Sequence, residues 1–388
     1  EIQQSELMNV WYLNIPGCNI SSLTGIKSFV NLRYFDCSFN ELTTIDLSSM
    51  SNLLYLKCHY QINQVITLNL DGLINLQHLN CSSNQLTNLD VSSLLNLSSL
   101  YCNNNKLTNL DVSSLSNLND LFCYDNQLTS LDLSGQNPDR FYVLHCSENL
   151  LTNLDIAKFD NLHTLSCGNN EITNLNITAF STLEVLQYWL TKISNFDVTK
   201  FPNLKELNCD YTETTVLDLS GLTKLESLSC HHNQLTNLDL SNIKDLKYLS
   251  CDSNMLTSLD VTNAPNLESL SFGNDEIVEI DLNKSVKLKS IYLVDSQIKA
   301  LDFSNSPFLE NLFIHNNQLL ESLLIKNGSI EKIIDIFSVS GNVNLKYVCA
   351  DDDQILEIEN ILKDNNNGDL TVNSYCSFAP AGESFTIQ

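Results

Sequence analysis

The sequence predicts a solenoid: short coils stacked on one another, with parallel β ladders, little helix and a core running along the stack. Three observations predict it. First, a 21-residue motif recurs through most of the 388 residues, most plainly as LQHLNCSSNQLTNLDVSSLLN at Leu76–Asn96 and LSSLYCNNNKLTNLDVSSLSN at Leu97–Asn117. A period of roughly 20–30 residues marks a repeat array, whose units cannot bury their flat faces alone. Second, ten of the thirteen cysteines (Cys37, Cys58, Cys81, Cys102, Cys123, Cys146, Cys167, Cys209, Cys230 and Cys251) share one motif position. Third, the motif is nested: Leu86-x-x-Leu89-x-Val91 has the shape of Leu97-x-x-Leu100-x-Cys102.

Numbering the motif from its first leucine, the run L4-x-C6 alternates with period two, as a short strand with one buried face does. The cysteines alternate with leucines and form no C-x-x-C pair, so they read as small apolar core residues and not as zinc ligands or a redox pair. Position 9 carries Asn40, Asn63, Asn84, Asn105, Asn126, Asn149, Asn170, Asn233, Asn254, Asn317 and Asn342, an inward ladder placed to satisfy buried backbone groups of adjacent coils. A second strand is expected at positions 14–16, giving ladders on two sides. Position 19 adds Leu94, Leu115, Phe159, Phe180, Phe201 and Leu222 to the core. Extra residues near His59–Ile62 and at Gln136–Arg140, where Pro138 marks a loop, stretch two cysteine spacings to 23. Tyr188, Phe272, Leu293 and Ile314 stand in for the cysteine in later coils.

An aspartate column at position 15 runs from Asp46 through Asp90, Asp111 and Asp132 to Asp302. Like charges on neighbouring strands repel. Either each carboxylate accepts hydrogen bonds from local backbone and the recurrent Thr at 12 and Ser/Thr at 17, the favoured reading, or cations screen the row.

Charge and composition exclude several functions. A formal charge of -26 opposes binding to nucleic-acid phosphates or an anionic membrane. No apolar run approaches the roughly 18 residues of a spanning helix. No G-x-S-x-G, H-E-x-x-H or phosphate-cradling glycine loop is present, so neither catalysis nor a cofactor is expected.

These motifs resemble the leucine-rich repeat superfamily, in particular a bacterial 21-residue nested subclass found in surface and secreted proteins of Bacteroidetes-type bacteria. The resemblance covers about residues 7 to 350 and implies a right-handed solenoid. The opening LNIPGCNISSLTGIKSFVNL (Leu13–Leu32) is similar to an internalin-type first coil, with Cys18 where Asn normally sits. The ending, NLKYVCADDDQILEIENIL followed by TVNSYCSFAPAG, resembles the closing cap of such arrays. Alternation in Leu345-x-x-Val348-x-Ala350 turns Cys349 outward, and Cys376 is the only cysteine downstream. A Cys349–Cys376 disulfide is expected, tying down a helix near Gln354–Lys363 with Asp353 as N-cap and Ile355, Ile358 and Leu362 as its apolar stripe. Eleven protected thiols would remain. The division expected is a first coil over 1–30, the array over 31–344, a cap over 345–376 and a linker-like tail over 377–388.

Side chains at positions 3, 5, 7 and 8 are expected to face solvent on a concave surface. One cluster there combines Tyr101, Phe122, Tyr124 and His145 with Asp120, Asp125 and Glu148, and earlier coils add Tyr34 and Tyr55. Exposed aromatics on a rigid sheet anchor protein partners or stack on sugars; equally, aromatics suit strands. Trp189 and Leu190 stand at outward positions beside Tyr188, which replaces the cysteine, as an interface anchor or as local repacking around Tyr188. Asp210, His231 and Asp252 share position 7 and form either a hydrogen-bonded surface ladder, the favoured reading, or a weak metal candidate. The function expected is non-catalytic, adhesin-like recognition of a protein or glycan at a bacterial cell surface, by a monomer in an extracellular compartment without nucleic acid or membrane insertion. The alternative is a spacer that displays another domain.

Overall fold

A two-residue side-chain period commits only one face of each short strand to the core, and a strand of three residues is stable only with neighbours on both sides. That is the architecture of the computed structural model, which describes residues 7–65, 67–177, 180–328, 337–338, 341–363 and 370–376. The chain divides into two units, residues 1–194 and 195–388. In the first, nine strands pair in parallel, in chain order, from Tyr12–Asn14 to Val185–Gln187. Register follows the motif: Leu79 opposes Leu100, Leu100 opposes Leu121, and Leu121 opposes Leu144. In the second unit seven strands, from Glu206–Asn208 to Phe337–Ser338, pair the same way. Each unit is thus a parallel β-solenoid, and the second also holds a short α-helix, α1, Ile355–Lys363. That helix is too short to cross a membrane, and no helix of the described residues is long and apolar enough to do so.

Equal motif positions become rows. Leu97, Leu100, Cys102, Leu107, Leu110, Val112 and Leu115 of one coil are all buried, as are their counterparts in the next. At roughly 1.5–3 kcal/mol per large apolar side chain, this burial holds the coils together. The ten column cysteines are buried and unbridged. Burial pushes the thiols of Cys37, Cys81, Cys123 and Cys167 up to about 12 and those of Cys58, Cys102, Cys146, Cys230 and Cys251 well above the ordinary value. Cys18 departs from expectation: it lies exposed, its thiol 3.5 Å from the Pro16 carbonyl. Alkylation of the native protein in mildly alkaline buffer, read by mass spectrometry, should therefore label Cys18 alone, with the ten column thiols reacting only after denaturation. A column thiol reacting as fast as Cys18 would contradict this packing.

The asparagine ladder does the structural work expected of it. Asn105 Nδ2 donates to the Cys81 carbonyl (3.2 Å) and the Cys102 carbonyl (3.0 Å), while its Oδ1 accepts the Leu86 N–H at 3.0 Å. Asn126, Asn149, Asn170, Asn233 and Asn254 repeat the donor pair onto the two flanking cysteine carbonyls. One assignment is corrected. Gln61, not Asn63, takes the slot in its coil, with Nε2 on the Cys37 and Cys58 carbonyls, because the insertion follows the ladder residue instead of preceding it. Asn63 is exposed and bonds the Glu41 carbonyl. Thr191 and Thr212 hold the slot with hydroxyls on the carbonyls of Tyr188 and Cys209, and Asp275 fills it with a carboxylate.

The second ladder is discontinuous. Strands pair at Thr44–Asp46 with Thr67–Asn69, at Leu154–Asp155 with Leu175–Asn176, and in a four-stranded run through Ala300–Asp302, Ser322–Leu324, Tyr347–Cys349 and Thr371–Asn373. The side chain at position 15 bonds to local backbone both where the strands pair, as at Asp46 and Asp155, and where they do not. Oδ1 of Asp90, Asp111, Asp197, Asp260 and Asp302 accepts both the N–H and the hydroxyl of the Ser or Thr two residues on. These bonds, side-chain and backbone, hold Asp90, Asp111 and Asp260 below the usual carboxylate range. Position 17 supplies the partner throughout.

The Leu345–Ala350 run also stands differently from expectation. It pairs with Ser322–Leu324 in the second ladder, Cys349 opposite Leu324. Alternation does point Cys349 away from the core, but the following segment covers it: Cys349 is buried and bonded to Cys376, with Cα atoms 5.3 Å apart. Helix α1 starts one residue later than Asp353 capping requires, since the first intrahelical bond runs from the Ile358 N–H to the Gln354 carbonyl. The Leu362 side chain and the tail 377–388 lie outside the described residues.

Candidate functional site

Strand positions 3 and 5 point away from the core, and parallel register stacks each on its counterpart one strand over. In the first unit this makes two aromatic columns. At position 5, Tyr101 opposes Phe122 and Phe122 opposes His145. Their rings stack at 4.6 and 4.7 Å, each pair tilted by 13°. All three are half-buried. Beside them Asp120 accepts the Ser99 hydroxyl at 3.0 Å, and Asp125 accepts Asn104 Nδ2 at 2.5 Å. Burial, then the Asp120 charge, pushes the Tyr101 phenol up, so it stays a hydrogen-bond donor. Tyr124 stands half-buried at the strand exit.

Tyr34 and Tyr55 belong to a separate column at position 3, on earlier coils. Tyr12 stacks on Tyr34 at 4.5 Å, Tyr34 meets Tyr55 at 6.2 Å and Tyr55 stacks on His78 at 4.4 Å. Burial lowers His78, so it joins the stack neutral. Tyr12 and His78 were not singled out in the sequence; their shared motif position was the available signal. Phe39 and Tyr60 at position 8 are exposed and 5.3 Å apart, both on left-handed backbone at φ 55 and 56.

Trp189 does not project. Its indole lies over Gly168 of the preceding coil, where an added Cβ would stand 2.5 Å from Nε1, and the side chain is half-buried. Leu190 next to it is exposed.

In the second unit the position-7 column brings Asp210 to His231: Oδ2 lies 3.0 Å from Nε2, and Oδ1 accepts the His231 N–H at 2.9 Å. The Asp210 hydrogen bond raises His231 against the opposing effect of burial. Asp252 accepts the Ser250 and Ser271 hydroxyls. His232, unremarked in the sequence, turns back beside His231 because position 8 is left-handed at φ 52. The same left-handed turn recurs at position 8 of other coils, among them Ser83, Asn104 and Ser253.

The stacked coils, the cysteine row and the parallel strands define a class: a leucine-rich repeat solenoid. The functional domain of InlJ from Listeria monocytogenes, described as including a cysteine ladder, matches at 30% identity and a TM-score of 0.74, over 94% of this chain and 73% of that one. The chain belongs to the bacterial leucine-rich repeat family of that domain. The leucine-rich repeat protein LIC12759 of Leptospira interrogans (21% identity, TM-score 0.63, 95% of this chain and 97% of that one) and YopM of Yersinia enterocolitica (24%, 0.63, 84% and 71%) share the fold. No protein-family profile and no curated protein sequence matches the chain.

Proposed function

We propose that the protein is a non-catalytic, adhesin-like binder of a protein partner at a bacterial cell surface, with the Tyr101–Phe122–His145 column at the centre of its contact. The stacking of that column carries the reading. Three rings fixed against one another lose little entropy on binding, which is what makes rigid aromatics effective anchors. Stacking also occupies the inner ring faces, leaving edges and the Asp120 and Asp125 carboxylates to be met. A protein with apolar and basic side chains fits such a ridge better than a sugar, which needs a free ring face. Similarity to an internalin domain supports the adhesin-like role. A surface location, the 21-residue nested subclass and the closing role of residues 345–376 as a cap belong to the same reading, supported by the disulfide.

The test is an array of proteins and glycans probed with the wild type and with Tyr101→Ala/Phe122→Ala. Protein signals that fall at least about tenfold in the variant are expected, since anchor residues typically contribute more than about 1.4 kcal/mol. Equal signals would remove this site. Background signals from the wild type would leave the spacer reading in its place.

A further inference from the structure

We propose that His231, His232 and Asp252 bind a divalent transition-metal ion, zinc in the first instance, on the outer strand face of the second unit, with Asp210 positioning His231 for ligation. Among the described residues this is the one group of three His, Cys, Asp or Glu side chains whose ligand atoms converge, all within 4.8 Å of one another.

The site is built from beneath. Asp210 is buried, and its oxygens are held by the Ser229 hydroxyl at 2.8 and 2.9 Å and by the His231 N–H. With Oδ2 3.0 Å from His231 Nε2, Asp210 places the ring proton on that nitrogen and leaves Nδ1 as a lone pair. A carboxylate behind a ligating imidazole is the usual outer-shell arrangement of metal-bound histidine. The free Nδ1 faces His232 Nδ1 at 2.8 Å, a hydrogen bond when His232 carries its proton there, and a metal ion that displaces this proton would meet two converging lone pairs. Metal–nitrogen bonds of about 2.0–2.1 Å put two ligands of a tetrahedral ion about 3.4 Å apart, so the rings need open by only about half an ångström. Asp252 Oδ2, 4.0 Å from His232 Nδ1, supplies the third donor. Tyr211 stacks on the His232 ring at 4.2 Å and limits its rotation. Two imidazoles and a carboxylate suit zinc, nickel or copper and not calcium or magnesium, which want oxygen donors. The histidines are partly exposed, so the ion can enter and keeps a position open to water or to a donor from a partner.

The experiment is isothermal titration of zinc chloride into the full chain, stripped with chelator and carrying Cys18→Ser to remove the exposed thiol. One equivalent should bind. His232→Ala should abolish that equivalent, and Asp210→Asn should weaken it about 10–100-fold while leaving the stoichiometry at one. Cobalt substitution gives an independent readout: visible ligand-field bands without the near-ultraviolet charge transfer of thiolate ligation. Circular dichroism of each variant confirms folding. No stoichiometric binding by the wild type, equal binding by His232→Ala, or a thiolate spectrum would each overturn the proposal.

Discussion

Asp275→Asn is expected to stabilise the second unit by about 3 kcal/mol near pH 8 and to leave stability near pH 4 almost unchanged. Asp275 occupies the asparagine slot. Its Oδ1 accepts the N–H groups of Asn254 (3.0 Å) and Leu256 (3.1 Å), as a ladder Asn would. Its Oδ2 stands where the ladder's donor should be and has no hydrogen-bond partner. Asn254, one coil earlier, shows what is lost: its Nδ2 reaches the carbonyls of Cys230 and Cys251 at 3.0 and 2.9 Å. Burial pushes the Asp275 carboxyl from 3.8 to about 6, with the Asp252 charge adding to it and the two backbone N–H bonds opposing. The sign follows. A group whose folded pKa exceeds its unfolded value stabilises fully below the unfolded value, and that stability is lost as pH rises through the folded one. Wild-type stability should therefore fall between about pH 4 and pH 6.5, and the Asn variant should not share that loss. Urea midpoints across this range, in chelator-containing buffer, check it. A variant no more stable than wild type at pH 8 would show that Oδ2 is already satisfied.

Removing the Cys349–Cys376 bridge should cost about 3–4 kcal/mol, the loop-closure value for a separation of 27 residues. The bridge fastens the last paired strand, Thr371–Asn373, over Tyr347–Cys349. Hydrogen bonds also hold it there: the Thr371 N–H on the Lys346 carbonyl at 2.8 Å, the Ala350 N–H on the Asn373 carbonyl at 3.0 Å, the Lys326 ammonium on the Ser374 carbonyl at 3.0 Å, and the Tyr347 hydroxyl on Asn373 Oδ1 at 3.0 Å and on the Tyr375 carbonyl. In Cys349→Ala/Cys376→Ala, amide exchange should accelerate at Thr371–Asn373 and Tyr347–Cys349. Amides of Ser227–Ser229, several coils earlier in the same unit, should keep their protection, because a repeat array couples only nearest neighbours. Uniform acceleration throughout the unit would instead show global cooperativity.

Where the motif repeats, the fold was legible one residue at a time. Leucine and cysteine rows, the asparagine ladder and the outward aspartates follow from position alone, because stacking in register turns period into geometry. Legibility failed where the period shifted. Gln61 took the slot assigned to Asn63 because an insertion can fall on either side of a ladder residue without changing its length. The Leu345 run joined the second ladder because both halves of the motif share one hydrophobic shape. The outer face was half legible: Tyr101, Phe122 and His145 could be named as neighbours, but their mutual stacking could not.

From its sequence alone the protein was determined to be a parallel solenoid with a buried thiol row and a bridged C-terminal segment, since these depend on which side of a strand each residue occupies. The tertiary structure alone decided how outward side chains meet. Trp189 lies flat because Gly168 leaves it room, and His232 meets His231 because two imidazoles fall at positions 7 and 8 of one coil, where the recurrent left-handed turn folds them together. Burial is imposed by a repeating pattern over many coils, whereas contacts on the outer face depend on which side chains neighbouring coils carry there and on the rotamers they take.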